Sequence, residues 1–377
     1  MMAGRQRLAI LAAGGTGGHM FPARALAEAL LERSWRVALV TDKRGGGFGE
    51  SLPEVETRQV RAGAVAGGGF FGKVKGVINL LLGTTQAISF MTQRRPDVVV
   101  GFGGYASIPA LMAAAQLRRP ILLHEQNAVA GRANRLMAGK ARLIATAYDK
   151  VKGLSEKEAA KTRFIGNPVR PAIQAIGAQP YEAPGESGPI RLLVVGGSQG
   201  ARVFNEIVPA ALALLPAELR ERLELSQQVP GEGREEIAAH YEGIGVSATL
   251  ETFFEDIPER LAAAHLVIGR AGASTIAELS AAGRPAILVP FPSAADDHQT
   301  ANAQAFSHQG GGWVMPQSGL SPEKLAQRLG ELFTRPSVLS QAAAAALALG
   351  RPDAAKRLAE VVETVAAGKS IEHEEAA

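Results

Sequence analysis

The sequence predicts an α/β protein made of two doubly wound parallel-sheet domains, and three observations lead there. The first is length: 377 residues exceed what one hydrophobic core organises, so two domains with a cleft between them are expected. The second is a recurring grammar in which a short apolar run ends in a glycine-rich turn and is followed by a helix-like stretch, the pattern of parallel βαβ construction. The third is that the grammar restarts midway. RLLVVGGSQGARVFNEIVPAALALL repeats the strand, double glycine, polar turn and helix of the amino terminus.

Taken in order, Leu8 to Ala13 reads as the first strand, GGTGGHMFP as its turn and ARALAEALLERS as its helix. The opening MMAGRQRLAILAAGG has the basic residues and short apolar run of a signal peptide, but GGTGGH follows at once and marks a strand and turn. Val37 to Thr41, Asp97 to Gly101 and Ile121 to His124 read as further strands. Ile108 to Gln116 reads as a helix with Pro109 in its first turn. The stretch NPVRPAIQAIGAQPYEAPGESGP carries the proline and glycine of a linker and sets the boundary near Pro168 to Pro189. Later strands are expected at Leu266 to Gly269 and Ala286 to Pro290, with helices starting near Ser274 and His298. The expected domains are therefore 1–168 and 169–348, with a helix at about 349–366 returning to the first domain and a frayed tail over 367–377. Ligands of such folds bind at the carboxyl ends of the strands, which makes the cleft the expected active site.

Composition narrows the chemistry. With no cysteine there is no disulfide framework, thiolate metal site or cysteine nucleophile. A formal charge of +4 without a basic stripe interleaved with aromatics argues against nucleic acid and for an anionic ligand or lipid surface. No apolar run approaches the roughly 18 residues of a spanning helix, so membrane contact is expected to be peripheral.

Several turns carry candidate chemistry. Gly14-Gly15-Thr16-Gly17-Gly18-His19 joins a strand to a helix, so its N–H groups can hold an anion, yet it lacks the lysine of a P-loop and the spacing of a dinucleotide fingerprint. His19 is either a helix-start cap or a general base. Gly101-Phe-Gly103-Gly104-Tyr-Ala106 does match a dinucleotide fingerprint, with Glu125 about 20 residues on, but it belongs to a later unit of its domain and is the safer reading as an anion loop. His124-Glu125-Gln126-Asn127 places four hydrogen-bonding side chains at a strand end, where they are expected to line the cleft, Gln126 being read as a cap of the next turn. Gly196-Gly197-Ser198-Gln199-Gly200 offers a second anion turn with a hydroxyl. In RAGASTIAE, a small-residue turn opens a helix and puts Glu278 about one turn inside, placed either to accept from ribose hydroxyls or as an ordinary early-turn acid. Asp296, Asp297, His298, Gln299 and Asn302 follow a buried strand and can read sugar hydroxyls. No DxD occurs, so no metal or other cofactor is expected, and N–H groups, helix dipoles and an arginine are left to stabilise a leaving diphosphate.

Together GGTGGHMFPA, GFGGYAS, HEQN, GNPVR, GGSQGA and RAGASTIAE, in this order over essentially the whole chain, resemble the MurG family of GT-B glycosyltransferases, of the family 28 type. The resemblance implies two Rossmann-like domains facing a cleft and transfer of N-acetylglucosamine from UDP-GlcNAc to lipid I, forming lipid II in peptidoglycan synthesis. It makes Thr16, Gly17, Gly18 and Asn127 contacts of the donor sugar, and Arg170 and Phe254 neighbours of the uracil. Ser198 falls on the diphosphate, Ala273, Ser274, Thr275 and Glu278 under the nucleotide, and Gln299 on the sugar hydroxyls. His19 matches the residue proposed as base, with Glu125 orienting base or acceptor, and Gly14, Gly15, Gly103, Gly104 and Tyr105 hold the acceptor diphosphate. Three features depart from the family pattern: LSQQVPGEG lacks an HxSG-like element, PFPSAADD is a residue longer, and Phe254 stands where an aliphatic residue is common.

The segment Gly69 to Leu82 mixes aromatics, lysines and aliphatics, with Phe70, Phe71, Lys73 and Lys75 as the expected contacts to an anionic membrane; a core-packed helix is the alternative. The family's habit puts the protein on the cytoplasmic face of the inner membrane, among cell-wall synthesis or division proteins. The competing readings are a UDP-GlcNAc 2-epimerase or other UDP-sugar enzyme, an NAD-dependent oxidoreductase, and a non-catalytic sugar-nucleotide binding module.

Overall fold

The computed structural model describes residues 5–14, 17–45, 52–63, 70–197 and 200–368, the side chains of Phe70, Phe71 and Lys73 excepted. The chain divides into two compact units, Met1–Val169 with Asp353–Ala377, and Arg170–Pro352.

The first unit holds a seven-stranded sheet of order β3-β2-β1-β4-β5-β6-β7. Its strands are β1 (Leu8–Ala12), β2 (Arg36–Thr41), β3 (Glu56–Gln59), β4 (Val98–Gly101), β5 (Ile121–Glu125), β6 (Leu143–Thr146) and β7 (Thr162–Phe164), and its helices include α1 (Gly17–Glu32), α2 (Phe70–Arg94), α3 (Ile108–Gln116), α4 (Arg132–Ala138) and α5 (Glu156–Ala159). Neighbouring strands are parallel, Ile10 of β1 pairing with Ala38 of β2 and Val99 of β4. β1 is apolar at every position because both faces of the sheet are covered. Ala9 and Leu11 join a core with Leu26 and Leu30 of α1, whereas Leu8 and Ile10 join another with Met91 of α2 and Leu111 of α3.

The second unit holds a six-stranded parallel sheet of order β10-β9-β8-β11-β12-β13. It comprises α6 (Pro171–Gly177), β8 (Ile190–Val195), α7 (Arg202–Ala213), α8 (Ala217–Arg220), β9 (Leu223–Gln228), α9 (Arg234–Gly243), β10 (Ser247–Glu251), α10 (Ile257–Ala263), β11 (Leu266–Gly269), α11 (Ala273–Ala282), β12 (Ala286–Leu288), α12 (His298–His308), β13 (Gly312–Val314), α13 (Pro322–Phe333) and α14 (Pro336–Leu349). Counted from β8, this is the order of the first six strands of the other unit, so the sequence echo is an echo of topology. Leu192 and Val194 of β8 pack with Phe204 and Val208 of α7 and Leu325 and Leu329 of α13. Arg284, 4% exposed, donates to Leu261, Ala262 and Ala282 carbonyls, serving the carbonyl-rich ends of α10 and α11 at once. The last helix, α15 (Ala354–Ala366), belongs to the first unit, where Leu358, Val361, Val362 and Val365 enter the core beside α1. No helix among the described residues is long and apolar enough to cross a membrane.

Candidate active site

In the first unit the site is built where β1, β4 and β5 end. Gly17 and Gly18 open α1 and His19 is its third residue, half-buried; Gly15 and Thr16 lie outside the described residues. Gly14 sits so close to the turn after β4 that a Cβ on it would lie 2.4 Å from the Ala106 Cβ. Beyond β4, Gly103 and Gly104 take φ of +86° and +71°, a region L side chains rarely adopt. They serve a second purpose. A Cβ on Gly104 would stand 3.2 Å from His19 Cδ2 and 3.5 Å from Nε2, and one on Gly103 3.4 Å from Cε1, so the bare backbone is the bed of the imidazole. Tyr105, half-buried, opens the short turn Tyr105–Ser107.

The HEQN segment divides its labour. His124 is fully buried, its ring edge-on to Phe102 at 5.6 Å, with Nε2 3.1 Å from the Gly166 carbonyl. Burial pulls its pKa down to about 4, against the raising effect of that carbonyl, so the ring is neutral. Glu125 is 1% exposed. Its Oε1 accepts from the Asn127 backbone and side-chain amides (3.0 and 3.3 Å), and its Oε2 from Gly131 N–H and Asn134 Nδ2 (both 2.8 Å). The carboxylate therefore shapes the loop that presents Asn127. Gln126 corrects the sequence reading: it does not cap the next turn but is buried inward. Its Nε2 donates toward the Phe102 carbonyl (3.0 Å), the His124 carbonyl (3.1 Å) and His124 Nδ1 (3.1 Å), and its Oε1 meets His19 Nδ1 at 3.3 Å.

In the second unit the polar groups gather around the start of α11. Gly272 is its N-cap, and Ala273, Ser274 and Thr275 form its first turn, where Ser274 Oγ is buried with no hydrogen-bond partner among the described residues. Glu278 lies one turn further, bound by Arg170 through Nε and Nη2 at 3.1 and 2.8 Å. Both bonds fall on Oε1. Burial raises the Glu278 pKa and Arg170 opposes the rise. Phe254 is 3% exposed with the Arg260 guanidinium 4.2 Å above its ring, so the ring belongs to the interior. Gln299 Oε1 accepts from Phe291 N–H at 2.9 Å, and Asn302 is fully buried, donating to the Ala271 carbonyl rather than presenting its amide to a sugar. Ser198 lies outside the described residues.

Sequence reasoning passed over Arg270, the residue after β11. Its Nη1 donates to the Val289 and Pro290 carbonyls (3.1 and 3.2 Å), and the guanidinium lies 5.4 Å from each of the Phe204 and Phe291 rings. It forms no ion pair among the described residues and is 7% exposed, and burial lowers its pKa. A guanidinium held by carbonyls and aromatic faces is stabilised without any carboxylate among the described residues neutralising its charge. The signal was present: the arginine heads the RAGAST turn.

Comparison with known proteins bears on both units. Residues 9–146 match the glycosyltransferase family 28 N-terminal domain and residues 191–358 the family 28 C-terminal domain. The UDP-N-acetylglucosamine–N-acetylmuramyl-(pentapeptide) pyrophosphoryl-undecaprenol N-acetylglucosamine transferase of Rhodospirillum centenum is 56% identical over 353 residues, 94% of this chain and 93% of its own. Its counterpart in Paramagnetospirillum magneticum is 52% identical, with 96% and 97% covered. Among solved structures, the MurG of Acinetobacter baumannii superposes with a TM-score of 0.77 at 30% identity, over 95% of this chain and 99% of that one. Matches of this identity, covering more than nine-tenths of the chain, leave one placement: the chain belongs to glycosyltransferase family 28, with the UDP-N-acetylglucosamine–N-acetylmuramyl-(pentapeptide) pyrophosphoryl-undecaprenol N-acetylglucosamine transferases.

Proposed function

We propose that this protein transfers N-acetylglucosamine from UDP-GlcNAc to the 4-hydroxyl of the muramoyl residue of lipid I, forming lipid II through a β1,4 linkage with inversion. The observation that carries the reading is the His19 imidazole laid against Gly103 and Gly104 at the end of the first sheet, an acid-base group beside loops suited to an anionic acceptor. His19 takes the proton of the 4-hydroxyl as that oxygen attacks the anomeric carbon, and the bond to UDP breaks with its electrons leaving on the diphosphate. Gly14, Gly15, Gly103, Gly104 and Tyr105 hold the acceptor diphosphate. Glu125 acts by holding Asn127 toward the sugar.

On the second unit, Arg270, Ser198, the buried Ser274 hydroxyl and the N-terminus of α11 receive the donor diphosphate. Glu278 binds the ribose through Oε2 while Arg170 fixes Oε1. The uracil meets the Phe254 backbone rather than its ring, and Gln299 reads the sugar with its amide nitrogen. Turnover of UDP-GlcNAc with a lipid I analogue tests the reading. UDP release that persists with chelator and collapses in His19→Ala is expected; no release with this acceptor returns the case to a 2-epimerase or a binding module.

The protein works at the cytoplasmic face of the inner membrane, and α2 supplies the contact. Val74, Val77, Ile78, Leu81 and Leu82 are all exposed, and their spacing of three and four residues puts them on one helix face with Lys75 nearby. Phe70, Phe71 and Lys73 belong to the same segment, but their side chains lie outside the described residues. Ile78→Glu with Leu81→Glu is expected to abolish sedimentation with anionic vesicles; unchanged binding removes α2 from the interface.

A further inference from the structure

The buried contacts around His19 determine which of its nitrogens is the base. From the interior outward, chemistry fixes the hydrogen-bonding sense of each group in this chain. A carbonyl oxygen only accepts, so His124 Nε2, 3.1 Å from the Gly166 carbonyl, carries the proton of that neutral ring and Nδ1 is its acceptor. Gln126 places one end of its amide against His124 Nδ1 and the Phe102 and His124 carbonyls, three acceptors that only the NH2 end can face, with one N–H shared between two of them. A flipped amide would set its oxygen against two carbonyl oxygens. The Gln126 oxygen is thereby turned to His19 Nδ1, and an amide oxygen also only accepts. Nδ1 of His19 is then N–H, and Nε2 is the acceptor nitrogen of the neutral ring.

The geometry points to Gln126, oriented by the buried His124, as a positioning residue that holds His19 in its Nδ1–H tautomer and so makes Nε2 the atom that removes the acceptor hydroxyl proton. The inference rests on His19 being the base. When the proton arrives at Nε2 the ring becomes an imidazolium with both nitrogens protonated, and the Gln126 carbonyl dipole faces its Nδ1–H. No proton has to leave the buried side of the ring during attack. The residue directly after the end of β5 thus acts on the chemistry without touching substrate, in the way partners of a ligating or catalytic histidine fix its tautomer.

The test reads the tautomer directly. Long-range proton–nitrogen correlation spectra of the full-length protein, labelled with 15N-histidine and held at a pH where the ring is neutral, distinguish the two tautomers, and His19→Ala identifies the His19 signals. The expected wild-type result is a protonated Nδ1. In Gln126→Met the proton is expected to move to Nε2, and kcat to fall roughly 10- to 100-fold, part of what a positioned base supplies, with KM for UDP-GlcNAc unchanged. His124→Phe, which keeps the aromatic contact with Phe102 and leaves two backbone carbonyls to hold the Gln126 amide, should lower kcat less. Protonation of Nε2 in the wild type overturns the inference without any variant, as does an Nδ1–H that survives Gln126→Met. If His19→Ala retains full activity, the base reading fails and the catalytic part of the inference with it; Nε2–H in a protein that His19→Ala inactivates overturns the inference alone.

Discussion

The turn after β1 and the turn after β8 occupy the same place in sheets of the same strand order, yet they are furnished differently. Around the first, the polar groups are buried and mostly neutral: His124, Gln126 and Asn134 bond to one another's neighbours and to backbone, with the single carboxylate of Glu125 surrounded by N–H donors. Around the second, the groups are charged: Arg270 between aromatic rings, Arg170 on Glu278, and a helix N-terminus whose Ser274 hydroxyl has no hydrogen-bond partner among the described residues. A buried neutral network fixes the direction of hydrogen bonds, which suits proton transfer; unpaired guanidinium charge and helix dipoles suit a diphosphate. The same strand order carries two different sets of strand-end residues.

The largest effect that would sharpen this division is on catalysis. His19→Ala should lower kcat by roughly 10²–10⁴-fold, the contribution of a positioned general base, while calorimetric titration with UDP gives an unchanged affinity. A loss of UDP affinity in this variant would break the comparison, since it would place His19 in nucleotide binding.

Each unit also buries one neutral histidine, and these should report acid stability. His124 and His265 both have pKa values pulled down to about 4, chiefly by burial, and each uses Nδ1 as an acceptor, from Gln126 in one unit and from Arg191 N–H at 3.0 Å in the other. A histidine whose folded pKa lies below its unfolded value takes up a proton on unfolding. Its contribution is therefore intact above about pH 6.5 and lost as pH falls toward about 4, by about 3 kcal/mol for each residue. Glu278, raised by burial, works in the opposite direction over the carboxylate range. Urea midpoints followed from about pH 7.5 to about pH 4.5 should fall, and His265→Gln should remove its own share of the slope. A slope that survives both His124→Gln and His265→Gln would assign acid lability elsewhere.

Next in size is the anion side. Arg270→Met keeps an apolar side chain between Phe204 and Phe291 but removes the charge, and should weaken UDP binding roughly 10- to 100-fold, the worth of charge-assisted hydrogen bonds to a phosphate. The tautomer of His19 should not change. Equal loss of uridine and UDP affinity would show that the arginine shapes the pocket instead of meeting the phosphates.

How much of this was legible follows from where the information lies. The parallel sheets were legible because β1 and β4 are apolar at every position, the mark of a strand covered on both faces, and because glycine turns punctuate them. β3 (ETRQ) was not, since an exposed edge strand has no reason to alternate or to be apolar, and β9 (LELSQQ) and β10 (SATLE) are similarly diluted by polar residues. The glycine loops were legible as loops, but their service as a bed for an imidazole was not. The role of Gln126 depends on the carbonyl of Phe102, 24 residues away in sequence, and, through His124, on that of Gly166, 42 residues from His124, and no local pattern encodes an orientation set at that distance. Phe254 shows a related limit: its motif position suggested a uracil contact but not that its ring would be held under Arg260 in the interior.

The smallest expected effect concerns α15, the helix that returns from the end of the second unit to the core of the first. Arg33 reaches it with two ion pairs, to Glu363 at 3.1 Å and Glu360 at 3.3 Å, and these look like the fastening of a long crossover. Their surroundings argue otherwise. The arginine side chain is 30% exposed and Glu360 61%, so the pairs are solvated and screened, and holding three long side chains in register costs rotamer entropy. Leu358, Val361, Val362 and Val365, all buried beside α1, remove apolar surface that no salt screens. Arg33→Gln is therefore expected to lower the unfolding free energy by less than about 1 kcal/mol, and by less still at high salt. Val362→Ala should cost more than the arginine variant at any ionic strength, through lost burial and the cavity left beside α1. A large, salt-sensitive loss in Arg33→Gln would mean that charge, not the apolar stripe, holds the last helix in place.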